Sequence, residues 1–489
     1  MSIPKHRLEL PPEAEPARDF IEVLVARYES QIKELKQQVQ SLSEQVQSLT
    51  ERLKKPNPRN SSLPPSSEHP HGKPPRKPSK RRIRKQGGQE GHKRHLRELV
   101  PIEQCEAVIS CVPESCRRCG GLVRPDESQP IRHQVWEIPP IEPTVIEYQL
   151  HRGHCDCCGI TTLAELPCGV PRGQCGPRLA AFTGLLMGHF RQSKRRASSF
   201  LSDLLNIPCS PAWTVKIQNL VSDALFEPYC QLQTELAKQS QLYVDESPTK
   251  QHKAKAWLWV AVAPMFAVFG IFANRSRESL VALIGDYSKI ILNCDRAKMY
   301  LDGPRLQWCW AHLKRDIQSL IDSHDKQVKR LGHDLMRQER LLFEYWQRYK
   351  RAEVNWKTFR RLASPVRKEF NSLLLRGSYS GNAKLIGFCD EILPRKDHLW
   401  TFLDAEGIEP TNNAAERALR SAVILRKLSF GTQSSQGSRY IERILSVSET
   451  CRLQKCNAYE YLIGVMKAKF AGETAPSLLP LIEDHAAAA

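Results

Sequence analysis

Three acidic residues stand where a metal-dependent core acting on phosphodiesters would need them. Asp245 and Asp295 each end a short apolar run, and Glu416 lies in a later helical stretch. Carboxylates that converge from strand ends and a helix bind hard divalent cations. A pair of such ions activates both the attacking and the leaving oxygen of a phosphodiester. We therefore predict that these three residues are catalytic and hold two Mg²⁺ ions, with Mn²⁺ as an alternative metal.

Each acid taken alone has an ordinary explanation, because an aspartate beside a strand is commonly a turn residue. Neighbouring acids are alternative ligands: Glu246 beside the first, and Asp286 or Asp302 near the second. The second and third acids are 121 residues apart, which is too wide for one compact unit. We therefore predict that a helical insertion over 317–400 interrupts the core.

The order of elements around the acids predicts the fold of this core. Apolar runs indicate strands at 241–245, 256–263, 266–273 and 289–295, and the pattern over 277–284 indicates a helix. Acids on the first and fourth strands and on a late helix predict an RNase H-like α/β catalytic core over 239–452. The apolar stretch 256–273 also has the length of a membrane span. Pro264 interrupts it, so two buried strands are the better interpretation.

Polar residues surround Glu416 on its predicted helix. Residues three or four positions apart share a helix face, so asparagines and arginines there suit phosphate oxygens. Thr411 is the expected N-cap. The predicted DNA contacts in this region are Asn412, Asn413, Arg420, Arg426 and Lys427. The nearby Trp310 and His312 either pack internally or face DNA, and we favour packing.

A helical region over 171–238 precedes the core. Two helices joined by a short turn near Pro208 form a candidate helix-turn-helix, with basic residues on the first of them. We predict that Lys194, Arg195 and Arg196 contact DNA. The alternative is a helix pair that touches no DNA, since many such pairs serve packing alone.

Two Cys-x-x-Cys pairs, each followed by glycine, lie in the segment 96–170. The pairs are Cys116 with Cys119 and Cys155 with Cys158. Two such knuckles supply four thiolates to one tetrahedral Zn²⁺, which leaves no open position for catalysis. The segment is therefore predicted to be a zinc-ribbon-like domain with structural Zn²⁺, and residues 145–150 alternate as a strand does. Cys157 or Cys111 are alternative ligands, and reduced cysteines without metal are the alternative interpretation.

The N-terminal part predicts an oligomer that binds polyanions. Apolar residues recur with a 3.5-residue period within 17–55, with Val25, Ile32 and Val39 at a positions and leucines at d. This pattern favours a parallel coiled-coil homodimer or higher oligomer, and an intramolecular helical hairpin is the alternative. A basic linker follows over 56–95; together with its flanking residues it carries much of the net charge of +19. Such blocks pair with polyanions such as DNA, or simply keep a protein soluble.

The remaining features concern the compartment and the ends of the chain. The first residues lack an apolar signal core, and 16 cysteines scattered over 489 residues favour reduced thiols. We therefore expect a cytoplasmic, nucleoid-associated protein that does not enter a membrane. Residues 453–489 are expected to form a C-terminal helix and tail. The predicted fold class is thus multidomain α+β: coiled coil, zinc-ribbon-like domain, helical DNA-binding segment and interrupted catalytic core.

Several motifs occur together in one order along nearly the whole chain. They are Gly-Gly-Gln-x-Gly-His at 87–92, the double Cys-x-x-Cys, Asp-Glu-Ser-Pro at 245–248, Asp295 with Tyr300, Cys-Trp-Ala-His-Leu-Lys-Arg at 309–315, Asn-Asn-Ala-Ala-Glu-Arg-Ala-Leu-Arg at 412–420 and Arg-Lys-Leu-Ser-Phe-Gly-Thr at 426–432. With the N-terminal zipper, this set resembles transposases of the insertion sequence 66 family. Thr411 stands where many relatives carry Asp.

The resemblance implies a DDE-type recombinase. Asp245, Asp295 and Glu416 would inherit its catalytic roles, DNA ends and target would be its substrates, and accessory element-encoded proteins would be possible partners. The expected reaction is cleavage at transposon ends followed by joining to target DNA. A zinc-containing DNA-binding regulator, or a catalytically silent derivative, is the alternative. An RNA-directed nuclease on the same fold is less well supported, since the sequence contains no RNA-binding motif.

Overall fold

The computed structural model describes residues 15–53, 97–124, 130–301, 303 and 305–479. The chain divides into two compact units. The first takes residues 1–73 and 308–411, and the second takes residues 74–307 and 412–489. The predicted basic linker, 56–95, and the alternative ligand Asp302 lie outside the described residues.

Helix α1 runs from Glu15 to Leu53. It contains no proline after its first turn and carries the predicted heptad stripe. Side chains at a and d positions, among them Ile32 and Leu35, are exposed in the single chain. The helix predicted from the heptads is therefore confirmed, while its pairing with a second copy stays a prediction.

The rest of the first unit is helical. Its helices are α7 Trp310–Ile321, α8 Lys326–Lys350, α9 Trp356–Ser378, α10 Ala383–Ile392 and α11 Thr401–Asp404. Trp310 is fully buried, and its indole nitrogen donates to the Leu399 carbonyl at 2.7 Å. Its ring meets Phe370 and Trp400 edge-on. Trp310 therefore packs internally, as we favoured from the sequence, whereas His312 is half-buried.

The second unit is built on a mixed five-stranded sheet in the order β5-β4-β3-β6-β7. The strands are β3 Gln241–Gln251, β4 Ala254–Val262, β5 Ala267–Phe272, β6 Ile291–Cys294 and β7 Leu306–Trp308. β3 pairs antiparallel with β4 and parallel with β6. β4 and β5 come from the apolar stretch 256–273, which confirms the interpretation as two buried strands. No described helix is long and apolar enough to cross a bilayer.

The open edge of β5 is covered by helix α13, Ser435–Leu453. Backbone N–H groups at alternate positions of β5 donate to side chains spaced four residues apart on α13: Ala267 to Thr450, Phe269 to Ser446, and Ile271 to Glu442. The spacings match, because two strand residues rise about 6.6 Å and four helix residues about 6 Å. The helix therefore supplies acceptors for the backbone N–H groups of an edge strand that could otherwise pair with another strand.

The other helices of the second unit surround this sheet. They are α2 Pro177–Met187, α3 Lys194–Leu205, α4 Pro211–Ala224, α5 Phe226–Leu236, α6 Arg277–Ile284, α12 Asn413–Ser429 and α14 Ala458–Ala471. The predicted helix pair is α3 and α4, and each begins at a serine whose hydroxyl accepts a backbone N–H. Tyr440 joins this layer to α13 by donating its hydroxyl to the Gly184 carbonyl at 2.6 Å.

The cysteine-rich segment has little regular structure. Strands β1 Arg152–His154 and β2 Thr161–Leu163 form a short antiparallel hairpin. The strand prediction for residues 145–150 is wrong, because these residues are not in a strand. Their side chains are exposed, so the alternating apolar residues have no core to pack against. No described residue of 97–170 is buried. The α+β class is confirmed for the part of the chain that the structure describes.

Candidate functional site

The sheet brings the first two acids together. In the parallel pairing of β3 with β6, Leu242 is opposite Leu292 and Tyr243 is opposite Asn293. Continued by two residues, this register sets Asp245 beside Asp295. Adjacent strands are about 4.8 Å apart, so the two carboxylates emerge as neighbours. Asp245 is half-buried on the central strand, and Asp295 is half-buried immediately after β6.

Helix α12 supplies the third acid, and its first residues hold it on β3. Asn412 is 1% exposed, and its amide donates to the Val244 carbonyl at 2.7 Å. Glu416 follows one turn later, and its backbone N–H donates to the Asn412 carbonyl. Thr411 was expected to cap this helix, but the N-cap is Asn412, whose side chain contacts the strand instead. The hydrogen bond from Asn412 to Val244 thus holds the first turn of α12, which carries Glu416, beside the strand residue that precedes Asp245.

The pKa of Asp245 reflects its burial and the proximity of the other acids. Burial raises the pKa of Asp245 well above its usual range, and the negative charges of Glu246, Asp295 and Glu416 raise it further. Within the described part of the chain, however, no three of these carboxylates have oxygens within 4.8 Å of one another. The three carboxylates are therefore too far apart to bind one shared ion. Two ions about 3.5–4 Å apart can be held by ligands that are spread more widely.

The neighbouring acids have other partners. Glu246 is buried and accepts hydrogen bonds from Tyr300 and from Arg275, the latter at 2.6 Å. Burial raises the pKa of Glu246 to about 7. Glu246 is thus close to Asp245 and Asp295, but its carboxylate is held by Tyr300 and Arg275. Asp286 is a turn residue that accepts the backbone N–H of Ser288. It is exposed and, among the described residues, interacts only with nearby residues of its own turn.

Arg275 is a site residue that the sequence did not reveal. It follows β5, and besides binding Glu246 it lies 3.5 Å from the Asp295 carboxylate and 5.2 Å from the Trp257 ring centroid. Because Glu246 anchors the guanidinium, Arg275 can orient Asp295. In the sequence, Arg275 is only a basic residue shortly after a predicted strand. Such residues are too common for one of them to be identified as a site residue.

The second half of α12 is fastened to β3 as well. Arg426 was predicted to contact DNA, but its guanidinium donates to the Ser247 hydroxyl at 2.9 Å and to the Pro248 carbonyl. Beyond the helix, Thr432 exchanges backbone hydrogen bonds with Lys250 and His252. Gly431 allows this close approach: its φ is +107°, and a Cβ there would overlap the Lys250 carbonyl. The motif at 426–432 therefore joins the helix to the β3–β4 hairpin.

The other predicted DNA contacts differ in their exposure. On α3, Lys194 donates to Gln218 and lies over the Tyr440 ring, and burial lowers its pKa to about 8. Arg195 and Arg196 are exposed. On α12, Asn413, Arg420 and Lys427 are exposed, in contrast to Asn412 and Arg426. The surface available to a ligand is thus formed by the exposed members of both groups.

The two cysteine knuckles share one geometry. In each, the first cysteine N–H donates to the residue five positions later, and the glycine N–H donates back to the first cysteine: Cys116 with Gly121 and Gly120, and Cys155 with Ile160 and Gly159. Hydrogen bonds from the following backbone N–H groups lower the pKa of both Cys116 and Cys155. Cys119 and Cys158 complete the pairs. Among the described residues, no three of the four thiols lie within 4.8 Å of one another.

Comparison with known proteins assigns the family. A family model described as "Transposase IS66 family" matches residues 172–440, more than half of the chain. The chain belongs to this family. The match includes Asp245, Asp295 and Glu416 and stops within α13. A second model, of a family of unknown function, matches residues 8–98.

Three relatives from Sinorhizobium fredii (strain NBRC 101917 / NGR234) are described as uncharacterized proteins. Protein y4jO is 29% identical over 37% of this chain and 52% of its own length. Protein y4qI is 24% identical over 44% of each chain, and protein y4hP is 23% identical over 80% of this chain and 77% of its own. The IS66-family chain thus spans about half the length of the first two relatives.

Proposed function

We propose that this IS66-family chain is a DNA transposase that cleaves transposon ends and joins them to target DNA, with Asp245, Asp295 and Glu416 as its catalytic residues. The observation that carries the proposal is the convergence of the three carboxylates from β3, β6 and α12. The strand order β5-β4-β3-β6-β7, with acids on the first and fourth strands of the core, supports an RNase H-like assignment.

The donor set suits Mg²⁺, because hard divalent cations prefer carboxylate oxygens. Burial, together with the negative charges of the neighbouring carboxylates, raises the pKa of Asp245, and a cation relieves the repulsion between those charges. Bound Mg²⁺ supplies Lewis acidity to the attacking and leaving oxygens of the phosphodiester. The chain itself holds the three carboxylates in place: Arg275 orients Asp295, and the Asn412 contact with Val244 orients the turn bearing Glu416. No side-chain nucleophile is required.

Exposed basic and amide residues form the proposed DNA surface. On α3 they are Arg195 and Arg196, and on α12 they are Asn413, Arg420 and Lys427. Lys194, Asn412 and Arg426 serve internal contacts, so we assign them to positioning the DNA-contact elements instead of to DNA itself. The chain's net charge of +19 favours DNA through counterion release.

We infer structural Zn²⁺ in the cysteine-rich segment from its residue types, since its two thiol pairs would have to approach each other to share one ion. The residues of 97–170 that the structure describes have no buried core, and a segment without one needs a metal or another cross-link for stability. Lowered thiol pKa values at Cys116 and Cys155 favour the thiolates that Zn²⁺ binds. The exposed heptad stripe of α1 supports pairing of two protomers, so that two transposon ends react together.

A nicking and strand-transfer assay on DNA carrying the element's terminal inverted repeats tests this function. Asp245→Asn should abolish both Mg²⁺-dependent reactions while end binding persists, because the substitution removes a charged ligand and keeps the side-chain shape. Asp286→Asn is the matched control, since it changes an exposed aspartate of the same unit. Retained strand transfer in Asp245→Asn would refute the assignment. Binding without nicking by the wild-type chain would favour a DNA-binding regulator.

A further inference from the structure

A basic concavity opens beside the turn that carries Glu416. It has a volume of about 230 Å³ and lies between α12, α13 and the turn from α2 to α3. Arg417 and Arg420 reach it from α12, Arg452 from α13 and Arg191 from the turn. Arg417 directly follows Glu416, so the concavity occupies the neighbouring face of the same helical turn.

The charges in this concavity are unbalanced. Four guanidinium groups face a single carboxylate, Glu449, and that carboxylate is already bound by Arg452 at 2.6 and 2.9 Å. Across the described residues, Arg191, Arg417 and Arg420 have no acidic side chain within 4.0 Å. Like charges brought close together repel one another, and a bound anion would relieve that repulsion.

A buried hydroxyl provides a second, independent sign of a ligand. Ser448 on α13 lines the concavity and is 3% exposed, yet its Oγ has no hydrogen-bond partner in the structure. A buried polar group without a partner costs about 1–3 kcal/mol.

We propose that this concavity binds a phosphate group of the DNA backbone. Guanidinium groups match phosphate oxygens with paired hydrogen bonds, and the Ser448 hydroxyl donates one more. The recess is partly open to solvent, which suits a phosphodiester within a continuous strand. The assignment of the bound phosphate to DNA depends on the proposed function, whereas the binding of phosphate does not. A strand held here passes next to the acid-bearing turn of α12.

The phosphate site is tested on the full chain with inorganic phosphate. Thermal unfolding is followed against phosphate concentration, with the ionic strength held constant by chloride. Because a ligand that binds only the folded state raises stability, the wild type should show a saturable rise in melting temperature. Arg417→Gln/Arg420→Gln should lose it. The control, Arg360→Gln/Arg361→Gln on α9, removes the same charge from exposed positions and should keep it.

Ser448→Ala separates a ligand role from a structural one. The Oγ has no internal partner, so its removal should not lower the melting temperature measured without phosphate. Phosphate affinity should fall on the order of ten-fold, the value of one hydrogen bond to a charged group. Equal phosphate stabilisation in the wild type, Ser448→Ala and the arginine double variant would overturn the site.

The source of the phosphate is tested by DNA binding at several salt concentrations. Loss of one phosphate contact reduces the slope of log affinity against log salt by about 0.9, so the arginine double variant should show a slope shallower by roughly this amount. Phosphate stabilisation combined with an unchanged slope would overturn DNA as the source and assign the site to free phosphate. Neither measurement uses nicking, so a failure of the proposed catalysis would be seen separately.

Discussion

We predict that Glu442 makes the stability of the second unit depend on pH. Its carboxylate is 1% exposed on α13 and accepts the Ile271 N–H at 2.6 Å and the Arg439 guanidinium at 2.9 Å. The other carboxylate oxygen has no hydrogen-bond partner. Burial raises the pKa of Glu442 from 4.5 to about 7, although Arg439, the Ile271 N–H and Arg443 oppose the rise. Tyr229 on α5 is the further titratable group near it.

The direction of the effect follows from proton binding. Between pH 4.5 and 7 the folded chain binds more protons at Glu442 than the unfolded chain does, so the free energy of unfolding falls as pH rises. Each pKa unit corresponds to about 1.4 kcal/mol. Glu442 should therefore remove about 2–3 kcal/mol of stability between pH 5 and pH 8. Glu442→Gln cannot ionise, yet its amide oxygen still accepts the Ile271 N–H.

Denaturant unfolding of the wild type and Glu442→Gln at pH 5 and pH 8 measures this term. The variant should gain about 2–3 kcal/mol relative to the wild type on going to pH 8. Any fixed cost of placing an amide in the core cancels in that difference. Glu460→Gln, a surface substitution on α14, controls for the loss of one carboxyl group. A difference between Glu442→Gln and the wild type that does not change with pH would refute the reasoning.

Three other substitutions test the structure. Ser446→Ala leaves the buried Phe269 N–H without an acceptor and should lower the free energy of unfolding by about 1–3 kcal/mol in denaturant titrations, whereas Ser448→Ala on the same helix should not lower it. Gly431→Ala introduces strain and overlap with the Lys250 carbonyl, so hydrogen exchange at the hairpin tip should accelerate. Cys116→Ser should lose bound Zn²⁺ by metal analysis and expose residues 97–170 to proteolysis; an unchanged metal content would contradict the zinc assignment.

The sequence predicted best those features that follow from local patterns. The heptads of α1, the strands within 256–273 and the helix at 277–284 were all found, because hydrophobic periodicity and a single proline decide them. The strand expected over 145–150 failed, since alternation forms a strand only where one face is buried. β3 extends six residues beyond its predicted end at 245, because pairing with β4 overrides the polar sequence Glu-Ser-Pro.

Side-chain partners within the site were harder to predict. The types of Arg426 and Asn412 suggested phosphate contacts, but both are used to hold α12 on β3. Arg275 had no recognisable signal, because its position beside Asp295 depends on where β5 ends in three dimensions. The arginine concavity is likewise assembled from three separate parts of the chain, and Ser448 attracts attention only when its burial is known. Residue type alone does not distinguish a ligand contact from an internal one.

Helix α12 explains how distant acids keep a fixed relation. Asn412 binds Val244 before Glu416, Arg426 binds Ser247 and Pro248 after it, and Thr432 joins Lys250 beyond the helix end. Hydrogen bonds therefore hold the helix on β3 both before and after Glu416. Residues later in the helix segment contact residues later in the strand. A carboxylate held this way cannot drift from Asp245 unless several hydrogen bonds break together. Preorganisation of this kind is what a site needs when its acids are far apart in sequence.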